Sequence, residues 1–217
     1  MTESNIPTPI WGKLDETVYE PAEDSFLLMD AFESEASQIS RINPSIIVEI
    51  GVGSGVVTSF IRSLITSLNP STTFINFGTD LNPSALAATL NTAKLNNQKI
   101  PELIQCDLLS PFLVRWKGLI DILIFNPPYV PTENEPLNHL ERCYAGGPTG
   151  RDAVDRLIPS LSTMLSPSGI FYLVALKSNN ISDIFEFASK HFLHGSIVLE
   201  RRCGREYLYI LKFVKSK

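Results

Sequence analysis

Four consecutive residues, Asn126-Pro127-Pro128-Tyr129, combine a side-chain amide, a stiffened backbone and an aromatic ring. Two prolines fix φ and remove two N–H donors, so the carbonyls of the segment point where the backbone dictates. The Asn126 side-chain oxygen and the Pro127 carbonyl can each accept one N–H bond. A planar NH2 group, whether an amide or an exocyclic amine of a nucleobase, delocalises its lone pair and attacks carbon poorly. Holding both of its protons biases the nitrogen toward tetrahedral geometry and presents the lone pair, which is positioning plus electrostatics. Tyr129 can stack on the flat face of such a group. Asn126, Pro127 and Tyr129 are therefore candidate catalytic residues, and Asn126 to Tyr129, with Pro128, the candidate substrate segment. The tetrapeptide alone does not separate glutamine from adenine. Asn-Pro and Pro-Pro also occur in plain turns, so its neighbours carry much of the weight.

Those neighbours read as a cofactor site. Glu49-Ile50-Gly51-Val52-Gly53-Ser54-Gly55 joins an apolar strand to a helix, and glycines let a ligand approach the main chain. The dinucleotide fingerprint GxGxxG fails because position 56 is Val56. Instead the spacing is GxGxG, with a carboxylate two residues before the first glycine. A pyrophosphate would be repelled there and a cation welcomed. S-adenosylmethionine carries an ammonium and a sulfonium and no phosphate, so Glu49, Gly51 and Gly53 are candidate contacts to it. Asp80 ends the next strand and can accept both ribose hydroxyls. Asp107, after the third strand, can accept the adenine amine, with Leu108 beside it. Any one acid could be a solvated loop residue or a helix cap. Three acids after three consecutive strands, beside the glycine loop, point to one ligand.

The pattern around these residues alternates strand and helix. A helix is predicted over about 23–36, behind Pro21, followed by a strand over 46–50 and a helix over 55–68. Next come a strand over 73–78 and a helix over 83–96, with Asn82 as cap and Pro83 at its first position. Short strands over 103–106 and 119–125 precede a long irregular stretch over 130–150, whose Pro131, Pro136 and Gly146-Gly147-Pro148 suit a mobile wall over the site. A helix over 152–165, a turn at 166–169, a strand over 170–176 and a helix over 182–191 follow. Residues 196–201 and 206–213 flank Cys203-Gly204 as a hairpin. The expected fold is α/β, one domain over 1–217 with a seven-stranded, mostly parallel sheet closed by an antiparallel C-terminal hairpin. Residues 1–16 are expected to be a loose lead-in. In such sheets ligands bind beyond the carboxyl ends of the strands, where these candidates fall.

Composition narrows the classes. Hydrophobic content of 44% and charged content of 19% are those of a folded domain, and the net charge of −5 gives no general attraction to DNA or RNA. Cys106, Cys143 and Cys203 are odd in number and show no CxxC, and His139, His191 and His194 do not cluster with them. Neither a disulfide framework nor a metal site is expected. The N-terminus lacks the basic-then-apolar pattern of a signal peptide, and no run approaches the ~20 apolar residues of a bilayer span. A soluble protein of a reducing compartment is expected, in the cytoplasm or also the nucleus.

Together, EIGVGSG, NPPYV, Val18-Tyr19-Glu20-Pro21-Ala22-Glu23-Asp24-Ser25-Phe26-Leu27-Leu28, Ala145-Gly146-Gly147 and Gly150-Arg151-Asp152 resemble the class I, Rossmann-like methyltransferases, in particular the HemK-like glutamine methyltransferases of peptide-chain release factors. The resemblance covers nearly the whole chain. VYEPAEDSFLL is similar to the eukaryotic and archaeal branch, which lacks a separate N-terminal helical domain. It implies S-adenosylmethionine contacts at Ser25, Glu49, Gly51, Asp80, Asp107, Leu108 and Asn126, with S-adenosylhomocysteine as product. It implies a substrate, the glutamine of a Gly-Gly-Gln segment in the class I translation release factor, converted to N5-methylglutamine. It also implies a heterodimer with a small zinc-binding activator added at the sheet edge, with residues 103–106 as candidates. Asp152 departs from the glutamate often found in the family, a change expected to matter little. N6-adenine methylation of DNA or RNA and a non-catalytic cofactor-binding subunit are the competing readings, the first disfavoured by the acidic charge.

Overall fold

A computed structural model describes residues 6–134, 139–204 and 206–216. In chain order the helices and strands are α1 (Glu23–Ser34), α2 (Ala36–Ile42), β1 (Ile46–Ile50), α3 (Val56–Leu68), β2 (Ile75–Asp80), α4 (Pro83–Leu95), β3 (Glu102–Gln105), β4 (Ile120–Phe125), α5 (His139–Arg142), α6 (Asp152–Met164), β5 (Leu165–Leu176), α7 (Ile181–Lys190), β6 (Leu193–Cys203) and β7 (Glu206–Lys215). They form a seven-stranded sheet in the order β3-β2-β1-β4-β5-β7-β6. The first five strands of that order pair in parallel, and β7 runs antiparallel to both β5 and β6. The expected α/β sheet with its closing antiparallel hairpin is present.

Period-two alternation along the strands sorts the core into two halves. Ile47, Ile122, Ile124, Ile170 and Tyr172 pack with α1, α2 and α3 on one face. Val48, Ile50, Leu123, Phe171 and Leu173 pack with α6 and α7 on the other. Full burial of a side chain such as Phe32, Ile61 or Leu161 contributes about 1.5–3 kcal/mol. The connections from β1 and β4 leave in opposite directions, so a crevice opens beyond their adjacent carboxyl ends.

Several details differ from the sequence reading, among them strand β6, which runs Leu193–Cys203 where 196–201 was expected. The first helix breaks at Glu35 into α1 and α2. Strand β2 begins two residues later than the 73–78 reading and ends at Asp80, as the placing of Asp80 at a strand end required; a Cβ on Gly78 within it would lie 2.6 Å from Val52 Cγ1, so this glycine admits a close approach. Residues 166–169 do not end the helix–strand connection as a simple turn. They bulge out of a longer β5, whose register to β4 jumps between the Ile120–Leu165 and Ile122–Ile170 pairs. Residues 6–16 hold no helix or strand, yet they are tethered and not loose. The Ile10 N–H donates to Asn96 Oδ1 at 3.0 Å, Asn96 Nδ2 donates back to the Ile10 carbonyl at 2.7 Å, and Trp11 packs against the core.

Candidate active site

The loop after β1 is shaped by its glycines. Gly51, Gly53 and Gly55 have φ of 69°, 50° and 79°, a region that costs other residues steric strain. The N–H groups of Gly51 and Val52 donate to the Thr79 carbonyl at 2.7 and 3.1 Å, binding this loop to the end of β2. A Cβ on Gly53 would meet nothing within 4 Å, whereas one on Gly55 would lie 2.6 Å from Thr89 Cα. Gly53 thus leaves open space for a ligand, and Gly55 lets α3 approach α4.

Glu49 shares the Ile47 face of β1 and so points into the α3 side of the core, where it is 4% exposed and accepts a hydrogen bond from the Thr58 hydroxyl. Burial pushes its carboxyl up to about 8, with the Asp80 charge adding to the rise and Thr58 opposing it. Asp80 is raised by burial as well; its Oδ2 accepts from Gly53 N–H at 3.1 Å and its Oδ1 from Asn82 N–H at 2.8 Å. Each oxygen keeps a lone pair for a hydroxyl. Asp107 is engaged by Arg156 of α6 in an ion pair, and Leu108 beside it adopts a φ of 51°.

Asn126 follows β4, and its Nδ2 donates to Asp24 Oδ2 at 3.0 Å. That contact decides which end of the amide is which, because only the NH2 can donate to a carboxylate. Asn126 Oδ1 therefore faces away, and it is buried without a hydrogen-bond partner among the described residues. Such an acceptor is costly unless something arrives to satisfy it. Asp24 is 3% exposed; its Oδ2 also accepts from the Tyr129 hydroxyl at 2.8 Å, and its Oδ1 accepts from Ser25 N–H at 2.7 Å and Ser25 Oγ at 3.3 Å. Burial, with the Asp24 charge next, raises the Tyr19 phenol to about 12 and raises Tyr129 in the same way, so both stay protonated.

Residues 144–150 back the loop that follows β4, residues 126–132, the candidate reaction loop. Val130 N–H donates to the Tyr144 carbonyl at 2.8 Å, Gly146 N–H to the Val130 carbonyl at 2.9 Å and Thr132 N–H to the Gly147 carbonyl at 2.8 Å. The wall expected to be mobile is thus laced to the loop over these residues; Pro136 lies outside the described residues.

All the residues singled out from sequence, Ser25, Glu49, Gly51, Gly53, Asp80, Asp107, Leu108 and Asn126 to Tyr129, line one cleft of about 920 Å³. That volume is at the upper end for small-molecule sites and leaves room for a cofactor and an acceptor side chain together. A cationic cofactor fits the donor set: buried carboxylates, open space at Gly53 and a stranded acceptor at the reaction loop. Asp24, Tyr19 and Arg156 belong to the site and were not assigned from sequence. Asp24 had a readable signal: it shares one helix face with Leu27, Leu28 and Ala31, all buried, and a carboxylate on a buried stripe needs a reason. Among the described residues no group of three or more His, Cys, Asp and Glu could hold a metal ion. No described helix is long and apolar enough to cross a membrane.

No protein-family model matches the chain. It is 41% identical to the methyltransferase HEMK2 of Mus musculus, over 100% of both chains. It is 36% identical to the eRF1 methyltransferase catalytic subunit mtq2 of Schizosaccharomyces pombe, covering 97% of this chain and 96% of that one. Among solved structures it resembles the E. cuniculi Mtq2–Trm112 complex, described as responsible for methylation of the eRF1 translation termination factor. There the TM-score is 0.69 at 27% identity, over 92% of this chain and 99% of the other. A ribosomal protein L11 methylase from Lactobacillus delbrueckii, with a TM-score of 0.62 at 16% identity, shares the fold.

Proposed function

The chain belongs to the family of the HEMK2 and Mtq2 methyltransferases, and from that premise we propose that it methylates a glutamine side-chain amide in a translation release factor. The acceptor is the glutamine of a Gly-Gly-Gln segment, the methyl donor S-adenosylmethionine, and the products N5-methylglutamine and S-adenosylhomocysteine. The observation that carries this reading is the buried, unpartnered Asn126 Oδ1, fixed in direction by Asp24.

Bound S-adenosylmethionine supplies an electrophilic methyl group on a sulfonium. Glu49 lies where it can face the cofactor's ammonium, Asp80 the ribose hydroxyls, and Asp107 with Leu108 the adenine. Gly51 and Gly53 allow close backbone approach, and Ser25 closes the methionine end. Asn126 Oδ1 and the Pro127 carbonyl accept the two amide protons, turning the nitrogen lone pair toward the methyl group. Pro128 keeps that carbonyl in place and Tyr129 flanks the planar amide. No side chain has to remove a proton first; the nitrogen sheds it after transfer.

Charge favours a protein acceptor over a nucleic acid. Seven carboxyl groups line the cleft; even with Glu49, pushed up to about 8, counted as neutral, six face the two guanidiniums of Arg142 and Arg156. A phosphate backbone needs the opposite balance. The edge strand β3 offers unpaired backbone to a small zinc-binding partner. Leu81, 63% exposed, sits beside the end of β3, where its carbonyl accepts from Gln105 Nε2 at 3.1 Å, and adds apolar surface there. The cytoplasm, where release factors work, is the proposed location, with the nucleus also open.

The test is transfer of labelled methyl to purified release factor carrying glutamine or alanine in its Gly-Gly-Gln segment, with and without the small partner. Label that depends on the glutamine supports the reading. Label independent of it, or reaching only DNA or RNA, overturns it.

A further inference from the structure

The reaction loop is held from its far end by a residue that lies 50 positions away. Asn179 sits just beyond the carboxyl end of β5, in a 3-10 turn, and is 2% exposed. Its Oδ1 accepts from the Leu176 N–H at 2.7 Å, which ties its side chain to the end of the strand. Its Nδ2 donates to the Tyr129 carbonyl at 2.8 Å and to the Thr149 carbonyl at 3.1 Å. One buried amide therefore uses both donors and its acceptor, and each donor goes to a different loop.

The surroundings show that this contact is tightly packed. A Cβ on Gly150 would lie 2.2 Å from the Tyr129 carbonyl oxygen and 2.4 Å from Asn179 Nδ2, and one on Gly146 would lie 2.5 Å from the Pro128 carbonyl oxygen. The two loops thus approach backbone to backbone, with Asn179 as the donor that both carbonyls share. Between the Pro127 and Tyr129 carbonyls the peptide planes and the Pro128 φ are fixed, leaving Pro128 ψ and Tyr129 φ and ψ as the soft torsions, so anchoring the Tyr129 carbonyl narrows the positions open to the Pro127 carbonyl.

We propose that Asn179 is a positioning residue for methyl transfer, pinning the Tyr129 carbonyl so that the Pro127 carbonyl is held where it accepts the acceptor's N–H. Asp24 fixes the front of the loop through the Asn126 side chain, and Asn179 fixes the back through the main chain. This rests on the reading of residues 126–129 as the acceptor loop. The cofactor carboxylates on β1, β2 and the loop after β3 take no part in it, so loss of Asn179 should separate turnover from cofactor binding.

Asn179→Asp keeps an oxygen for the Leu176 N–H and replaces the shared donor with an oxygen facing two carbonyls. The full chain, together with its small partner if activity requires one, is assayed below its melting temperature. The expected result is unchanged affinity for S-adenosylmethionine, a kcat lower by about 100-fold, and faster hydrogen exchange at the Val130 and Thr132 amides. A residue that only stabilised the fold would lower the melting temperature and leave kcat intact below it. Should Asn179→Asp fail to fold, Asn179→Ser, which retains one donor, serves with a smaller loss expected. Unchanged exchange in residues 126–132 would overturn the clamp, and faster exchange with normal kcat would overturn its role in positioning. Failure of the wild-type chain to label a Gly-Gly-Gln factor would sink the substrate reading instead, while the exchange comparison still decides the clamp.

Discussion

Asn126 Nδ2 and Asp24 Oδ2 meet at 3.0 Å although 102 positions of sequence separate them. The contact makes a helix near the start of the chain part of the reaction loop. Asp24→Asn keeps the volume but turns one of two accepting atoms into a donor where four donors converge. The expected outcome is a kcat lower by about 10- to 100-fold with cofactor affinity largely kept. Steady-state kinetics beside calorimetry check it; an equal loss of both would assign Asp24 to the cofactor instead.

Asn126→Ala removes the stranded acceptor itself. Methylation is expected to vanish, while S-adenosylmethionine still binds. If calorimetry showed binding lost in step with activity, the residue would be a cofactor ligand first.

Asp80→Ala should act in the opposite sense. Its carboxylate also orders the Gly53 and Asn82 N–H groups, so cofactor affinity is expected to fall sharply. Unchanged affinity would remove it from the ribose site.

Glu49 gives a pH dependence whose sign can be worked out. Its carboxyl is pushed from 4.5 up to about 8 by burial. The folded chain therefore keeps a proton that the unfolded chain gives up, and this contribution to stability is present below pH 4.5 and lost as pH rises through about 8. Glu49→Gln should accordingly melt nearer to wild type at pH 5 and gain on it toward pH 8. A cofactor ammonium beside Glu49 favours the ionised form, so binding should release a proton and tighten as pH rises toward 8. Calorimetry in buffers of different ionisation enthalpy counts that proton. It should disappear in Glu49→Gln and with 5′-methylthioadenosine, which lacks the ammonium; a release that persists in both would clear Glu49 of the role.

Gly55→Ala tests the fold apart from the chemistry. With φ at 79° and its Cβ 2.6 Å from Thr89 Cα, the substitution strains the backbone and collides with α4. A loss of about 1–3 kcal/mol is expected, seen as a lower melting temperature.

Much of the cleft lining was legible in the sequence because the three acids lie at or just past the ends of strands, and strand ends converge in this topology. The run 46–50 and its glycines are local signals, so Glu49, Gly51 and Gly53 could be placed without tertiary knowledge. Asp24 was harder: its neighbours in sequence are Glu23 and Ser25, and only the helix face it shares with Leu27 and Leu28 marks it as buried. Arg156 and Asn179 gave no local signal at all. Their partners, Asp107 and the Tyr129 carbonyl, lie 49 and 50 positions away, and only the folded chain brings them together.

The strand order has a consequence for the newly made chain. Ile170-Phe171-Tyr172-Leu173-Val174-Ala175-Leu176 pairs with β7, not with the earlier β6. During synthesis that segment must wait, with one edge unpaired, until residues 206–215 emerge. It carries no charge, proline or glycine, the signature of a strand that self-associates. Chains halted between β5 and β7 should therefore be the aggregating species, and chaperone demand should peak over that interval.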